Sequence, residues 1–222
     1  MKTYGLIGRK LNHSFSKKFF NQKFLSENIP AQYLNFQLDD IDKFRSIFNS
    51  KIISGLNVTI PYKRSVIRFI DELDDLSMEL MAVNTILPIY NGKELLKLKG
   101  FNTDVYGFRQ MIKPYLKSHH ERVLILGTGG ASSAIAYVFK DYNIDVNFIS
   151  RNPSTNSSNV FGWEELNDHM INFHPLIVNT TPVGMFPNVK ETIDLPYRSI
   201  NKDHLLIDLI YNPSETQFLI NG

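Results

Sequence analysis

Cysteine is absent from the 222-residue chain, which excludes disulfides and thiolate-bound metal sites. Long apolar runs are also missing: nothing approaches the roughly 20 residues of a membrane span, and the apolar run near the N-terminus is too short for a signal peptide. The net charge is only +2, without a basic run typical of a nucleic-acid-binding arm. We therefore expect a soluble cytoplasmic protein that binds neither nucleic acid nor membrane.

Metal-ligand spacing is likewise missing among the histidines, so no metal site is expected. They are interpreted as surface or capping residues: His13, His119, His120, His169, His174 and His204.

Hydrophobic residues make up 43% of the chain and charged residues 21%, as in a globular protein with a substantial core. This length predicts one large or two small domains. In the first half, strand-like runs such as "TYGLIG" and "AQYLNFQL" alternate with runs of helical period, which are "DDIDKFRSIF", "KRSVIRFIDEL" and "DDLSMELMAV". The dipeptide Asn91-Gly92 lies between two extended runs and predicts a β-hairpin. The first half is therefore predicted to be an α/β unit.

The second half repeats the order strand, helix, strand. The apolar runs "RVLIL", "VNFIS", "PLIVN" and "HLLID" are predicted strands, and "WEELNDHM" is a predicted helix. Such alternation favours a doubly wound parallel sheet of the Rossmann-like kind. We place the domain boundary between roughly Asn102 and Glu121 and expect an α/β protein of two domains.

A glycine turn follows the strand "RVLIL" and precedes a helix. Gly127, Gly129 and Gly130 would let the chain approach a pyrophosphate at the helix start, as in dinucleotide-binding folds. Ser132 stands at the third glycine position of that motif. Any tight connection between a strand and a helix tolerates glycine, so the turn also fits a purely structural role.

The end of the next strand bears on the choice of cofactor. Folds that bind NAD usually carry an acidic residue there, whereas this strand ends in Ser150-Arg151. A guanidinium can pair with a 2′-phosphate, which favours NADP over NAD. A solvated arginine at a strand end is the alternative. The later stretch "NTTPVGM", from Asn179 to Met185, suits a backbone-lined nicotinamide slot or an ordinary loop.

Polar residues gather in "GLNVTIPYK", which otherwise resembles a buried strand. Asn57 and Thr59 share one face of the extended chain. Lys63 follows at the start of a predicted helix, where a positive charge is unfavourable. It is either a surface lysine or a functional group.

Hydroxyl and carboxyl groups begin two other predicted helices. Ser14 and Ser16 could cap their helix or hold a small carboxylate together with the helix N-terminus. Asp104, in "NTD", is ambiguous in the same way.

The sequence resembles the shikimate dehydrogenase family over nearly its whole length. Eight motifs occur in the family's order and approximate spacing: "YGLIGRKLNHSFS", "GLNVTIPYK", "AVNTI", "GFNTDVYGF", "LILGTGGASSA", "SRN", "NTTPVGM" and "DLIYNPSETQFL". The resemblance implies reversible hydride transfer between NADPH and 3-dehydroshikimate, a step of aromatic amino-acid biosynthesis. It also implies a shikimate-binding catalytic domain at 1–103 and an NADP-binding Rossmann-like domain at 104–222.

Substrate and catalytic residues follow from the same resemblance. Ser14 and Ser16 would bind the substrate carboxylate, with Tyr211 near that end. The residues that would line the ring are Asn57, Thr59, Lys63, Asn84 and Asp104. Lys63 would stabilise the charge that grows on the carbonyl oxygen and deliver a proton, and Asp104 would orient it.

The resemblance implies a cofactor site in four further segments. The glycine turn maps to Gly127, Gly129, Gly130 and Ala131. The loop after the next strand maps to Ser150, Arg151 and Asn152. Leu209 would touch the nicotinamide end, and Asp75 would approach the cofactor from the first domain.

The chain departs from the family pattern at three places. Thr155 stands where many relatives carry a second basic residue for the phosphate. Met81 stands where a glycine is usual. Relatives continue past "QFLING" with a glycine-rich turn and a helix that supplies a glutamine to the substrate, and Gln217 is not that residue.

Other functions remain open on the sequence alone. A quinate/shikimate dehydrogenase would use a broader set of substrates and NAD, which Arg151 disfavours. A ligand-binding regulator on the same scaffold would have no need of the Lys63/Asp104 pair. A bare dinucleotide-binding module would not carry the polar residues of the first half. A monomer and a homodimer are both compatible with the sequence.

Overall fold

The computed structural model describes residues 1–11, 14–153 and 157–222. The chain divides into two units, Met1–Asp104 and Val105–Gly222. Two positions singled out in the sequence, His13 and Thr155, lie outside the described residues.

The first unit is built on a six-stranded mixed sheet with the strand order β2-β1-β3-β5-β6-β4. Its strands are β1 (Lys2–Gly8), β2 (Ala31–Gln37), β3 (Gly55–Val58), β4 (Glu72–Leu73), β5 (Thr85–Asn91) and β6 (Glu94–Phe101). Its helices are α1 (Phe15–Ser26), α2 (Asp75–Leu80) and the 3₁₀ helices Ile41–Phe48 and Ser65–Phe69. β1 pairs in parallel with β2 and β3, whereas β3, β5 and β6 are antiparallel neighbours.

The predicted helix in "DDIDKFRSIF" is a 3₁₀ helix. Its buried residues Ile41, Phe44 and Ile47 recur every third position, which aligns on one face of a 3₁₀ helix. Asp40 begins it, because the Asp40 side chain accepts a hydrogen bond from the backbone N–H of Asp42.

The predicted helix in "KRSVIRFIDEL" is wrong in its second half. The 3₁₀ helix ends at Phe69, and β4 then pairs in parallel with β6. The Asp71 carboxylate accepts the backbone N–H of Leu98, and Glu72 forms an ion pair with Lys99. These contacts with β6 favour the extended conformation over another helical turn.

The hairpin predicted at Asn91-Gly92 is confirmed. β5 and β6 are antiparallel, and Gly92 has a φ of +59°, a conformation that glycine adopts without steric cost. The hairpin places Asn84, just before β5, beside Phe101 at the end of β6, whose carbonyl accepts the Asn84 backbone N–H.

The second unit contains a five-stranded sheet in which all paired strands are parallel, with the order β11-β10-β7-β8-β9. Its strands are β7 (Arg122–Leu126), β8 (Asp145–Ser150), β9 (Val160–Gly162), β10 (Leu176–Asn179) and β11 (Leu205–Asp208). Its helices are α4 (Gly130–Asp141), α5 (Asp168–Phe173), α6 (Gln217–Asn221) and the 3₁₀ helices Lys113–Tyr115, Trp163–Glu165 and Tyr197–Ser199. The helix α3 (Asp104–Ile112) begins at the last residue of the first unit.

This arrangement confirms the predicted α/β class with a Rossmann-like second half. β8 and β10 lie on opposite sides of β7, so the strand order reverses at β7, and ligands of such sheets bind at the carboxyl ends beside this reversal. The three-residue strand β9 is not predicted from the sequence. The predicted helix "WEELNDHM" is divided into the 3₁₀ helix Trp163–Glu165 and the helix α5, which begins at Asp168 because the Asn167 side chain accepts the backbone N–H of Met170.

Two histidines interpreted as surface or capping residues are buried. His174 is 3% exposed and lies between the Met170 carbonyl and the Asn147 amide, at 2.7 and 2.8 Å. His120 is 5% exposed and accepts the backbone N–H of Lys117. Burial lowers the pKa of both side chains below the ordinary value of 6.5, because the protein interior disfavours a charged imidazolium.

Within the described ranges, no helix is both long and apolar enough to cross a membrane. No group of three histidine, aspartate or glutamate side chains in the same ranges is arranged to hold a metal ion.

Candidate active site

An ion pair between Lys63 and Asp104 lies at the centre of the polar residues of the first unit. Lys63 Nζ donates to Asp104 Oδ2 at 2.7 Å. The two side chains are 16% and 29% exposed, so the pair is largely desolvated yet accessible to a small molecule. Asp104 is the first residue of α3, where a negative charge is favoured by the helix dipole.

Asn84 holds the other oxygen of this carboxylate. Its Nδ2 donates to Asp104 Oδ1 at 2.8 Å, and its Oδ1 accepts the backbone N–H of Thr103 at 3.0 Å. A backbone N–H can only donate, so this contact fixes which end of the amide faces Asp104. Asn84 is 7% exposed. Its main role in the described structure is therefore to orient the carboxylate.

The backbone brings the Lys63 and Asn84 segments together. The Val83 backbone N–H donates to the Lys63 carbonyl, and the Val58 backbone N–H donates to the Asn84 carbonyl. The residue two before Val83, Met81, has a φ of +49° at the end of α2. That left-handed conformation favours glycine, which gives a physical reason for the glycine usual at this position in the family.

Asn57 extends the polar cluster along β3. Its Nδ2 lies 3.3 Å from Thr85 Oγ1, and the Thr85 hydroxyl in turn donates to Asn84 Oδ1. The buried Tyr33 hydroxyl donates to Asn57 Oδ1 at 2.8 Å, and burial raises the pKa of Tyr33. Hydrogen bonds thus connect Tyr33 to Asp104 through three polar side chains.

The remaining predicted substrate residues of this unit take no part in the hydrogen bonds of the cluster described above. Ser14 caps α1 by accepting the backbone N–H of Lys17, and Ser16 is half-buried in the first turn. Thr59 follows β3, and its backbone N–H donates to the Ile7 carbonyl. The capping interpretation of Ser14 is thus observed, and it leaves the hydroxyl hydrogen available as a donor.

Chemically, the cluster can stabilise negative charge and transfer a proton. An ammonium beside a carboxylate, both partly exposed, can donate to an oxygen on which charge develops. The neighbouring amides and hydroxyls of Asn57, Thr85 and Thr103 offer hydrogen bonds suited to a polyhydroxylated molecule.

In the second unit, the carboxyl ends of the parallel strands bring the other predicted residues to one edge of the sheet. Gly127 follows β7 with a φ of +101°, and a Cβ added there would lie 3.0 Å from Thr180 Oγ1 and 3.1 Å from Thr181 Cγ2. Glycine is required at this position both by the backbone conformation and by the close approach of the loop after β10.

The start of α4 forms an open glycine turn. A Cβ added to Gly129 would meet nothing within 4 Å, and Gly130 and Ala131 form the first turn of the helix. The first backbone N–H groups of a helix have no carbonyl partner within that helix, so those of Gly130 and Ala131 can receive an anion. Ser132 is buried and its hydroxyl donates back to the Gly129 carbonyl at 2.6 Å. The serine therefore replaces the third glycine without occupying the open side of the turn.

The loop after β8 carries the predicted phosphate ligands. Ser150 is buried, and its hydroxyl shares a hydrogen bond with Thr128 at 3.3 Å and accepts the Asn152 backbone N–H. Arg151 is exposed. These residues fit the 2′-phosphate of NADP, because a cation is present and no carboxylate ends the strand.

Leu209 and Tyr211 follow β11 at the same sheet edge. Leu209 is half-buried, and its backbone N–H donates to the carbonyl of Asn179, at the end of β10. Tyr211 is 66% exposed. Asp75 belongs to the first unit, where it is exposed in the first turn of α2.

Several residues of these clusters are not predicted as site residues from the sequence. Tyr33 has the pattern of an ordinary core residue of an alternating strand. Thr85 and Thr103 lie inside the motifs "AVNTI" and "FNTD", and their position beside Asn84 and Asp104 was the available signal. Asp208, in "DLIY", accepts three hydrogen bonds from different segments.

Comparison with known proteins connects this geometry to a family. A family model described as the shikimate dehydrogenase substrate binding domain matches residues 6–86. The shikimate dehydrogenase (NADP(+)) of Clostridium beijerinckii is 36% identical over 232 residues, covering 100% of this chain and 83% of that protein.

Solved structures show the same relationship. Shikimate dehydrogenase 1 from Peptoclostridium difficile matches with a TM-score of 0.83 at 35% identity, covering 100% of this chain and 82% of that one. A shikimate dehydrogenase solved in complex with NADP+ matches with a TM-score of 0.82 at 29% identity, covering 100% of this chain and 80% of that one. With such similarity along its whole length, the chain belongs to the shikimate dehydrogenase family.

Proposed function

We propose that this protein is an NADP-dependent shikimate dehydrogenase, an oxidoreductase that reversibly reduces 3-dehydroshikimate to shikimate in chorismate and aromatic amino-acid biosynthesis. The observation that carries the proposal is the Lys63–Asp104 pair, held by Asn84 in a chain of this family. An ammonium group paired with an oriented carboxylate suits the protonation of a carbonyl oxygen.

In this proposal the two units have separate tasks. Residues 1–103 form the shikimate-binding catalytic domain, and residues 104–222 form the NADP-binding domain. The family model that matches 6–86 describes a substrate-binding domain, and the parallel sheet with its glycine turn supports cofactor binding in the second unit.

Lys63 acts as the general acid during reduction and as the base during oxidation. Its ammonium stabilises the negative charge that develops on the substrate oxygen and donates the proton to it. Asp104 keeps the amine in place and accepts hydrogen bonds from the substrate hydroxyls. The bound nicotinamide cofactor would supply the hydride for reduction as NADPH and would accept it for oxidation as NADP⁺.

The other polar residues bind and orient the substrate. Ser14 and Ser16 bind the carboxylate with the start of α1, and Tyr211 contributes near that end. The hydroxylated ring is bound by Asn57, Thr59 and Asn84. The half-buried positions of Asn57 and Thr59 beside the Lys63 segment support this assignment.

The cofactor contacts lie in four segments. The residues proposed to hold the pyrophosphate and the ribose with its 2′-phosphate are Gly127, Gly129, Gly130, Ala131, Ser150, Arg151 and Asn152. Leu209 touches the nicotinamide end and Asp75 approaches the cofactor from the first domain. The open side of the Gly129 turn and the exposed Arg151 support these roles.

The proposed ligands are small, charged and water-soluble, and no nucleic acid or membrane partner is needed. We place the reaction in the cytoplasm, catalysed by a monomer or homodimer.

The test is the formation of reduced nicotinamide by the purified chain with shikimate or quinate as substrate and NADP or NAD as cofactor. We expect the highest kcat/KM for shikimate with NADP. Preference for quinate with NAD would make the protein a quinate dehydrogenase. Shikimate binding without turnover of any pair would contradict the enzyme proposal and indicate a regulator.

A further inference from the structure

The Asp208 carboxylate connects three segments at the end of β11. Its Oδ1 accepts Asn179 Nδ2 at 3.1 Å and the Ile210 backbone N–H at 2.9 Å. Its Oδ2 accepts the Thr216 hydroxyl at 2.6 Å. Asn179 ends β10, and Thr216 is the N-cap of α6. One side chain therefore joins two strands and the start of a helix.

The Asn179 amide can face Asp208 in only one orientation. Asn179 is fully buried, and its Oδ1 accepts the backbone N–H and the hydroxyl of Thr181, at 2.9 and 2.7 Å. Because the Thr181 backbone N–H must donate, the Asn179 NH₂ group is left for the Asp208 carboxylate. The contact is specific for an acceptor at position 208.

The bond from Asp208 to Thr216 closes the segment 209–215 at its two ends. This segment carries Leu209 and Tyr211, and Tyr211 is largely exposed. The Asn212 carbonyl accepts the Phe186 backbone N–H at 3.0 Å, which attaches the segment to the stretch that follows "NTTPVGM". Fixing both ends of a short segment reduces the number of conformations it can adopt.

We propose that Asp208 is a positioning residue, which holds the segment 209–215 so that Leu209 and Tyr211 keep one place relative to β10. The inference rests on the proposed function, which assigns those two residues to the nicotinamide end and to the substrate. Asp208 does not itself touch a reactant in this account. It acts through the hydrogen bonds to Asn179, Ile210 and Thr216.

The test compares two replacements of the same residue. Asp208→Ala removes all three acceptors, and at temperatures well below its melting point kcat should fall about ten- to a hundred-fold because the reacting groups are misplaced. Asp208→Asn should restore most of that loss, because its Oδ1 can still accept from Asn179 and Ile210 while its amide donates to the Thr216 oxygen.

The matched control is Asp145→Ala, which removes an exposed carboxylate from the opposite end of the same sheet and should keep kcat. Should Asp208→Ala fail to fold, Thr216→Val removes only the closing hydroxyl bond and keeps the side-chain shape. It should lower kcat and speed amide hydrogen exchange within 209–215, while exchange in β7 stays slow.

The outcomes separate this inference from the proposed function. A wild-type chain without shikimate turnover would contradict the proposed function, and the exchange rates of 209–215 would still test the closure. An active wild type whose Asp208→Ala or Thr216→Val variant melts at a lower temperature but keeps its kcat would overturn the inference. A loss of kcat that Asp208→Asn does not rescue would also overturn it.

Discussion

Lys63 Nζ lies 2.7 Å from Asp104 Oδ2, although 41 positions separate the two residues in the sequence. Asn84 donates to the second oxygen of the same carboxylate, so the protein orients both oxygens. The pair keeps partial exposure and remains accessible to a small molecule. The proposed proton transfer depends on this arrangement.

Tyr33 should affect substrate binding through Asn57. Tyr33→Phe removes the hydroxyl that donates to Asn57 Oδ1, so the amide is held only by the longer hydrogen bonds of its Nδ2. We expect KM for shikimate to rise severalfold and the free energy of unfolding to fall by about 1 kcal/mol.

Tyr90→Phe is the matched control, because the Tyr90 hydroxyl bonds the backbone of Ile53 and no predicted site residue. It should cost stability and leave KM unchanged. If both variants shifted KM equally, the link from Tyr33 to the site would be refuted. Steady-state kinetics and native-state hydrogen exchange supply the two readouts.

Met81→Gly should stabilise the first unit. Met81 has a φ of +49° and is 55% exposed, so glycine relieves backbone strain at little cost in packing. We expect a gain of about 0.5–1 kcal/mol in the free energy of unfolding, read from hydrogen exchange of the β5–β6 hairpin.

The comparison is Met78→Gly, an equally exposed methionine inside α2, where glycine should destabilise by about 1 kcal/mol. Loss of stability in both variants would mean that the left-handed conformation carries no strain for methionine.

Burial of His174 predicts a loss of stability in acid. Its pKa is lowered in the folded state, so the unfolded chain binds a proton more readily as the pH falls below the ordinary value of 6.5. The stability contributed by neutral His174 is present above pH 6.5 and is lost as the pH falls through its lowered folded pKa. His120 adds a decline of the same sign.

Urea unfolding followed by the fluorescence of Trp163, the single tryptophan, reports on the second unit. His174→Asn should reduce the decline between pH 7.5 and pH 5. The control His169→Asn removes an exposed histidine of α5, the helix that ends just before His174, and should leave the decline in stability unchanged. An unchanged decline in His174→Asn would show that His174 is not its source.

Arg151 should select the cofactor. Arg151→Ala should raise KM for NADP by about ten- to a hundred-fold, because a charge-assisted bond to phosphate is lost, and leave KM for NAD nearly unchanged. Arg198→Ala removes another exposed arginine, paired with Asp168, and should change neither value. Equal effects of Arg151→Ala on the two cofactors would argue against recognition of the 2′-phosphate.

Much of the fold follows from the sequence pattern. The alternating apolar runs predict β7, β8, β10 and β11, and the Asn91-Gly92 pair predicts the hairpin. The missed strands β4 and β9 have two and three residues, too few for a periodic signal, and only their pairing with β6 and β8 makes them extended.

The candidate active site is harder to predict from sequence patterns than the fold. No hydrophobic periodicity in the sequence relates Lys63 to Asp104. Only the family resemblance predicts that the two residues belong to one site. Tyr33 and Asp208 act through hydrogen bonds to residues that are distant in the sequence. The residues next to them in the sequence therefore indicate only a core tyrosine and a carboxylate at a strand end.

The most direct test is the oxidation of shikimate with NADP by wild type and by Lys63→Met, which keeps an apolar stem and removes the ammonium. Because positioned proton transfer typically contributes roughly a hundred- to ten-thousand-fold, kcat should fall by that range, while the Kd for shikimate changes far less. Lys23→Met, in the exposed pair with Glu27, is the control and should behave as wild type. A Lys63→Met enzyme with nearly normal kcat would contradict the account.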